Sequence, residues 1–246
     1  MEPILSVLIV CLAAFLAGNL NALAGGGSFI TLPVLVFLGI PPIIANTTSA
    51  ASLLPGYLGS VIGFKNLYRD LHHKHLITLI IIASFSSIFG ALLLINTKDE
   101  IFMSFLPWLI LLATLLFVFN PKRTKKKENQ NNLSQFMGVT FVSIYGGYFN
   151  GGLGIAMLAA LSLGKEITIK HLSAIKSLLS FVLTSVSVSI FFISGFIEWS
   201  YVFYMMVFSA IGGFFGAKLT QSLSEEVIRN FIIFTGLLVT ILLFLY

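Results

Sequence analysis

Residues 19–28 read NLNALAGGGS and decide the fold of this chain. They lie inside an apolar segment that runs from about residue 4 to residue 38. Three consecutive glycines disfavour an ordinary helix, and irregular backbone at membrane depth is tolerated only where protein or a cavity satisfies its polar groups. The segment therefore predicts a helix to about residue 24, an inward-facing break at residues 25–27, and a shorter helix that ends before Pro41.

Residues 146–154 read GGYFNGGLG and repeat this pattern about half a chain later. A basic, hydrophilic linker at residues 121–132 separates the two stretches. The pattern thus predicts an N-terminal membrane repeat at residues 1–120 and a C-terminal membrane repeat at residues 133–246. Each repeat begins with a long glycine-broken element, the second one at residues 133–163. Further spans are predicted at residues 45–64, 76–95, 101–119, 172–192 and 201–217, with a last one that ends at residue 246.

The composition is that of a membrane protein. Of the 246 residues, 57% are hydrophobic and 9% are charged, whereas a soluble domain has about 25% charged residues. The apolar runs approach or exceed the ~20 residues that a spanning helix needs, while β-barrels give short alternating segments. We expect an all-α integral membrane protein with about seven or eight transmembrane helices and a glycine-broken or re-entrant helix in each half.

The net charge of +5 indicates membrane topology and not a nucleic-acid partner, because five of the 14 Lys and Arg residues lie in the linker. Basic loops are typically cytoplasmic. This rule places residues 96–100 and 195–200 outside the cell. It places the loops at residues 65–75, 121–132, 165–171 and 218–229 in the cytoplasm. This assignment of sides holds only if each glycine-broken element returns to the side of the membrane where it began or crosses the membrane twice. The halves would then be inverted repeats with both termini outside, an architecture of secondary transporters that bind substrate between the repeats near the midplane.

Three motifs together resemble the sulfite exporter TauE/SafE family. They are NALAGGGS at residues 21–28 with Pro33, NTTS at residues 46–49, and NGGLG at residues 150–154 after the linker. The resemblance covers essentially the whole chain. It implies a permease of the prokaryotic inner membrane that moves sulfite, organosulfonates or related organic anions without ATP. The chain departs from the family's common second-half pattern, a glycine triplet followed by a proline, because residues 151–154 read GGLG and no proline lies between them and Ser173.

An anion that enters a membrane must exchange its hydration shell for hydrogen-bond donors. Helix N-termini supply free N–H groups and a partial positive charge, and glycines let the backbone approach a ligand closely. We therefore expect both breaks to begin half-helices that hold the anion, with no metal, cofactor or catalytic residue. The candidate substrate-binding residues are Asn21, Gly25, Gly26, Gly27, Ser28, Asn46, Thr47, Thr48, Asn150, Gly151, Gly152, Gly154, Lys176 and Ser177.

Plainer structural interpretations exist for these candidates. The glycine clusters would also allow close helix packing, and residues 46–49 would also cap a helix that starts after Pro42. Lys176 corresponds in position to Thr48 of the first half. It either pairs with the anion, since an ionisable residue at membrane depth indicates function, or extends to the cytoplasmic interface.

Other functions are weighed against secondary transport. An intramembrane protease with Ser28 as its nucleophile needs a base within reach, but His72, His73, His75 and His171 all fall in predicted loops, so we expect no enzyme. A passive anion channel would line its pore with the same donors, and other small organic anions are alternative substrates. The expected partners are the anion and membrane lipid, with no nucleic acid. A proton or another coupling ion and assembly into a homo-oligomer are left open.

Overall fold

The computed structural model describes residues 3–23, 25–68, 73–118, 132–164 and 168–220, with scattered positions between 222 and 244. Every regular element in these ranges is helical, which confirms the predicted all-α class. The linker, apart from Asn132, lies outside the described residues, as does most of the last predicted span. The helices are α1 (Pro3–Leu23), α2 (Ser28–Phe37), α3 (Pro42–Gly63), α4 (His73–Ile95), α5 (Asp99–Val118), α6 (Asn132–Tyr148), α7 (Leu153–Leu161), α8 (Ile169–Ile193) and α9 (Trp199–Thr220), with a short 3-10 helix at Lys65–Tyr68.

Four of the described helices are long and apolar enough to cross a membrane. They contain the segments Ile4–Leu23, Lys74–Ile95, Lys170–Ile193 and Trp199–Leu219. Large apolar side chains point outward from them, such as Phe85 and Phe89 of α4, which are 65% and 68% exposed. Continuous apolar surface of this kind is unfavourable in water. The chain is a multi-pass membrane protein.

Both glycine-rich stretches interrupt helices where the sequence predicts a break. α1 ends before Gly25, whose φ of +90° belongs to the left-handed region that L side chains rarely adopt. α7 begins directly after Gly152, whose φ is +70°. Glycine is therefore required at these two positions by backbone conformation.

The capping interpretation of residues 46–49 is wrong. α3 already begins at Pro42, with Pro41 as its N-cap and no side-chain cap. Proline fixes φ near its helical value at the first helical position, where its missing N–H costs nothing. Residues 46–49 consequently lie in the second turn of α3, where their side chains are available for other contacts.

The predicted placement of the histidines in loops is also wrong for those that the structure describes. α4 begins at His73 and α8 at Ile169, so His73, His75 and His171 lie in first helical turns. The helices extend beyond the apolar runs from which the spans were predicted, and Thr168 caps α8 by accepting the His171 N–H. His72 lies outside the described residues.

Each broken pair folds back on itself as a helical hairpin. After α1, the backbone at Gly27 lies against α1, where an added Cβ would be 2.5 Å from the Ala17 carbonyl oxygen. Gln135, at the start of α6, donates from Nε2 to the carbonyl of Leu161 at the end of α7 (3.1 Å). α2 packs on α1 and α7 packs on α6, so the second helix of each pair runs back along the first.

The hairpins enter from opposite ends of the bundle. α2 leads into α3, whose first turn contacts the start of α5 because Ile43 N–H donates to Asp99 Oδ1 (2.9 Å). α6 begins beside the start of α4, where His75 Nε2 and Gln135 Oε1 are 2.7 Å apart. α4 starts at the His75–Gln135 contact, and its other end leads to α5, which starts at the Ile43–Asp99 contact. The two contacts therefore mark opposite ends of the bundle.

All the described α-helices except α5 fall in two sets, which we call the first helix group (α1, α2, α3 and α9) and the second helix group (α4, α6, α7 and α8). The two groups meet where α3 packs on α8. Glycines make the crossings inside each group close. Gly213 of α9 lies against the Gly56 carbonyl in the first group, and Gly90 of α4 lies against the Ile144 carbonyl in the second. Small residues allow membrane helices to approach in this way. Each group therefore combines helices from both sides of the linker.

We expect Gly213→Ala to destabilise the protein, because the new methyl carbon would lie 2.0 Å from the Gly56 carbonyl oxygen. Overpacking of this kind costs about 1–3 kcal/mol, or roughly 2–12 °C in unfolding midpoint for a chain of this size. Thermal unfolding in detergent measures it. The matched control is Gly138→Ala, whose added carbon would meet only side-chain carbons and the Ala160 Cα at 3.1 Å or more. Equal midpoints for the two variants would contradict the packing argument.

Candidate functional site

The turns of the two hairpins meet inside the bundle. The Gly154 N–H at the start of α7 donates to the Gly25 carbonyl at the end of α1 (3.1 Å). A Cβ on Gly25 would lie 2.1 Å from the Gly154 Cα, so the two backbones are in direct contact. The glycines of the two breaks therefore serve close packing, whatever else they do. This contact brings the N-terminal ends of α2 and α7 to the same region.

The start of α2 carries two buried donors without partners. Asn21 Oδ1 accepts the Gly27 N–H (2.6 Å), which satisfies one amide of the helix N-terminus. Among the described residues, the other polar atom of the same side chain, Asn21 Nδ2, has no hydrogen-bond partner, and neither has Ser28 Oγ. Both residues are 1% exposed. Gly26 lies beside them, with the Phe29 ring 3.2 Å from the position that a Cβ would occupy. This helix end combines a partial positive charge with two unused donors.

The start of α7 is more fully bonded. The Leu153 N–H donates to the Asn150 carbonyl (3.3 Å), and the Gly154 N–H is taken by Gly25. Gly152 accepts the N–H of Ile155 (3.0 Å) through its carbonyl. The Gly151 carbonyl accepts the Tyr145 hydroxyl (2.6 Å). The second break therefore offers fewer free donors than the first.

Lys176 of α8 is fully buried beside the first break. Its Nζ donates to the carbonyls of Asn21 (3.0 Å) and Ala22 (2.9 Å), at the C-terminal end of α1. An ammonium group has three N–H donors, so one remains for another acceptor. In the part of the chain that the structure describes, no carboxylate is hydrogen-bonded to Lys176. The ammonium thus lies in the interior and not at a solvent-facing end of the bundle.

Asn150 links the second break to two residues that sequence reasoning missed. The Tyr57 hydroxyl donates to Asn150 Oδ1 (2.7 Å), and Asn150 Nδ2 donates to Thr184 Oγ1 (3.2 Å). A polar residue every four positions on α8, at Lys176, Ser180 and Thr184, is the pattern that could have revealed Thr184. Tyr57 has no comparable signal in its span.

Other predicted residues make their hydrogen bonds elsewhere. Thr47 donates to the Phe196 carbonyl, and Thr48 Oγ1 accepts the Glu198 N–H (3.0 Å), so both tie the start of α3 to the loop before α9. Ser200 donates to Glu198 from its hydroxyl (2.7 Å) and its N–H (3.1 Å), which lowers the pKa of the Glu198 carboxyl.

Asn46 and Ser177 differ in how much hydrogen-bonding capacity they retain. Asn46 Nδ2 donates to the Tyr148 carbonyl (3.1 Å), and Asn46 Oδ1 has no hydrogen-bond partner in the described ranges. Ser177 Oγ donates to the Ser173 carbonyl of its own helix (2.9 Å). Asn46 therefore contacts the second hairpin, whereas the Ser177 hydroxyl is used within α8. Among the described residues there is no cluster of three or more His, Cys, Asp or Glu side chains that could hold a metal.

Comparison with known proteins gives one family. The profile of the sulfite exporter TauE/SafE family matches residues 10–243. A probable membrane transporter protein of Haemophilus influenzae is 28% identical over 94% of this chain and 92% of its own length. The probable membrane transporter proteins YfcA of Escherichia coli K12 (24% identical, covering 92% of this chain and 84% of YfcA) and YdhB of Bacillus subtilis (25%, covering 97% and 99%) are also similar. These names indicate transport and not catalysis. The chain therefore belongs to the sulfite exporter TauE/SafE family of membrane transporters.

Proposed function

We propose that this protein is a secondary transporter of small sulfur-containing anions such as sulfite or organosulfonates. The anion is held at the start of α2, between the two hairpins. The observation that carries the proposal is the combination of Asn21 Nδ2 and Ser28 Oγ, both buried and without partners, at a helix N-terminus next to buried Lys176. Each of these features favours a negatively charged acceptor.

The charges support an anion in particular. A buried ammonium without an acidic partner is unfavourable, and the two carbonyls at the end of α1 offset only part of this cost through their partial negative charge. An oxyanion would accept the third N–H of Lys176, the Asn21 amide and the Ser28 hydroxyl. Hydrogen bonds to charged groups contribute about 1.5–3 kcal/mol each. Together they would replace the hydration that the anion loses.

In alternating access, the binding site opens to one side of the membrane at a time. An inverted repeat would provide this motion, with α1–α4 as one repeat and α6–α9, in the same order, as the other. Two observations support this pairing. When each helix is replaced by its counterpart, the first helix group becomes the second. The packing agrees, because α9 packs on α1 and α3, and its counterpart α4 packs on α6 and α8. It also relates two hairpins that open toward opposite ends. In such transporters the substrate lies between the repeats. We place the chain in a prokaryotic inner membrane with its basic loops cytoplasmic and both termini outside.

The burial of the site favours a transporter over a passive channel. Asn21, Ser28 and Lys176 are each at most 1% exposed, which is not the condition of residues that line a permanently open pore. A transporter must pass through a state in which the substrate is shielded from both sides. Other small organic anions remain the alternative substrates, because a carboxylate would accept the same donors.

The test is uptake by the purified protein in proteoliposomes, with labelled sulfite, sulfoacetate and sulfate, acetate as a carboxylate control, and an imposed pH gradient in half of the samples. We expect a sulfur anion to accumulate above its equilibrium distribution when the gradient is present. Equilibration without accumulation under any gradient would indicate a channel. Acetate uptake without uptake of a sulfur anion would contradict the proposed substrate class.

We expect Asn21→Asp to abolish uptake without loss of stability. The carboxylate keeps an acceptor for the Gly27 N–H and suits the positive end of α2, and it supplies an internal partner for Lys176. It removes the Nδ2 donor and repels an anion. Uptake rates and thermal unfolding are measured together, with Asn21→Ala as the comparison, which loses the cap as well and should unfold at a lower temperature. Wild-type uptake by Asn21→Asp would move the site elsewhere.

We expect Lys176→Gln to insert and fold but to raise the apparent KM for the anion about tenfold or more, as loss of a charged hydrogen bond predicts. The glutamine amide can still donate to a carbonyl at the end of α1, so the variant tests the charge. The matched control is Lys218→Gln, because Lys218 is an exposed lysine at the end of α9 whose Nζ lies over the Phe214 ring (4.4 Å). An unchanged KM in Lys176→Gln would refute the role of the ammonium.

A further inference from the structure

One face of α8 extends across both breaks. Lys176, Ser180 and Thr184 are spaced four residues apart and therefore lie on the same side of the helix. Lys176 donates to the carbonyls of α1 next to the first break, and Thr184 accepts from Asn150 at the second break (3.2 Å). Ser180 lies between these two residues on the helix. It therefore belongs to the part of α8 that passes the place where the two hairpins meet.

Ser180 differs from the other α8 serines whose hydroxyl bonds the structure shows. Each of these donates to the carbonyl four residues earlier, at 2.7 to 3.0 Å; they are Ser177, Ser185, Ser187 and Ser189. In the part of the chain that the structure describes, Ser180 Oγ has no hydrogen-bond partner, although the side chain is fully buried. A buried hydroxyl that forgoes its own helix carbonyl is left with an unused donor, which is unfavourable unless a ligand supplies the acceptor.

We propose that Ser180 is a further substrate-binding residue, which donates its hydroxyl to one oxygen of the transported anion. The inference rests on the proposed function. It adds a donor from the second half of the chain to Asn21 Nδ2 and Ser28 Oγ of the first half. Three neutral donors then match the three oxygens of sulfite or of a sulfonate group, and Lys176, one turn away on α8, supplies the compensating charge. A carboxylate has only two oxygens, so one of them would have to accept two of these donors, and no third oxygen faces Ser180.

This arrangement gives Ser180 a role in selectivity. Removing a donor that a ligand needs weakens binding of that ligand, whereas a ligand that never used the donor is affected less. Loss of the Ser180 hydroxyl should therefore reduce the preference for a sulfonate over a carboxylate that carries the same alkyl group. A purely structural role would change affinity for both anions alike. Methanesulfonate and acetate form a suitable pair of competitors.

The experiment compares Ser180→Ala with Ser187→Ala in proteoliposomes. Both residues are buried serines of α8, but the Ser187 hydroxyl is bonded to the Leu183 carbonyl (3.0 Å). We expect Ser180→Ala to raise the KM for sulfite by about tenfold or more, and to weaken inhibition by methanesulfonate more than inhibition by acetate. Its unfolding midpoint in detergent should equal or exceed that of the wild type, because the Ser180 hydroxyl has no hydrogen bond to lose among the described residues. Ser187→Ala should transport like the wild type.

A KM for sulfite within about twofold of the wild-type value in Ser180→Ala would overturn the assignment, as would equal weakening of both competitors. If Ser180→Ala fails to insert, Ser180→Cys gives the same comparison, because a thiol has similar volume but is a weak donor; a wild-type KM there also overturns the proposal. If the wild-type protein moves no sulfur anion, the proposed function fails and this inference fails with it. Normal wild-type transport with an unaffected Ser180→Ala removes Ser180 alone.

Discussion

The backbone contact between Gly25 and Gly154 is the constraint on which the rest of the structure depends. The two chains approach so closely that a Cβ on Gly25 would lie 2.1 Å from the Gly154 Cα, and Gly25 also needs a φ of +90°. Only glycine meets both requirements. The contact fixes where two hairpins end inside the helix bundle, and their half-helices begin there. Four polar backbone ends are thus buried together, where water cannot satisfy them.

The same contact makes the two breaks unequal. Because the Gly25 carbonyl accepts the Gly154 N–H (3.1 Å), the first break uses an amide that the second would otherwise offer to a ligand. At the start of α2 the Asn21 side chain satisfies one amide and leaves its own Nδ2 unused. The positive potential available to an anion therefore belongs mainly to α2 and Lys176. The repeat-like pattern of the sequence predicts two similar ends, and the single bond between them explains the difference.

The sequence predicts the fold better than the site, for a physical reason. Apolar runs and glycine clusters are local signals, so the all-α class and the breaks at residues 25–27 and before Leu153 could be predicted. Helix ends are less certain, because caps such as Thr168 extend α8 a turn beyond its apolar run. The partners of Lys176 are backbone carbonyls of α1. Every residue has such a group, and no pattern of side chains reveals which one a distant lysine will contact.

The candidate site lies on the boundary between the two helix groups, and this location connects binding with movement. Hydrogen bonds cross that boundary at three places, from Lys176 to two carbonyls of α1, from Tyr57 to Asn150, and from Gly154 to Gly25. The crossings inside each group are made by backbones in contact through glycine, as at Gly213 and Gly56, and resist sliding because packed interiors tolerate little change in volume. Any rigid-body motion of one group against the other would therefore change the bonds at the site before it changed the packing within either group. An anion bound by donors from both groups would bias that motion through its different affinity for each arrangement, which is the thermodynamic requirement for coupling a ligand to a conformational change.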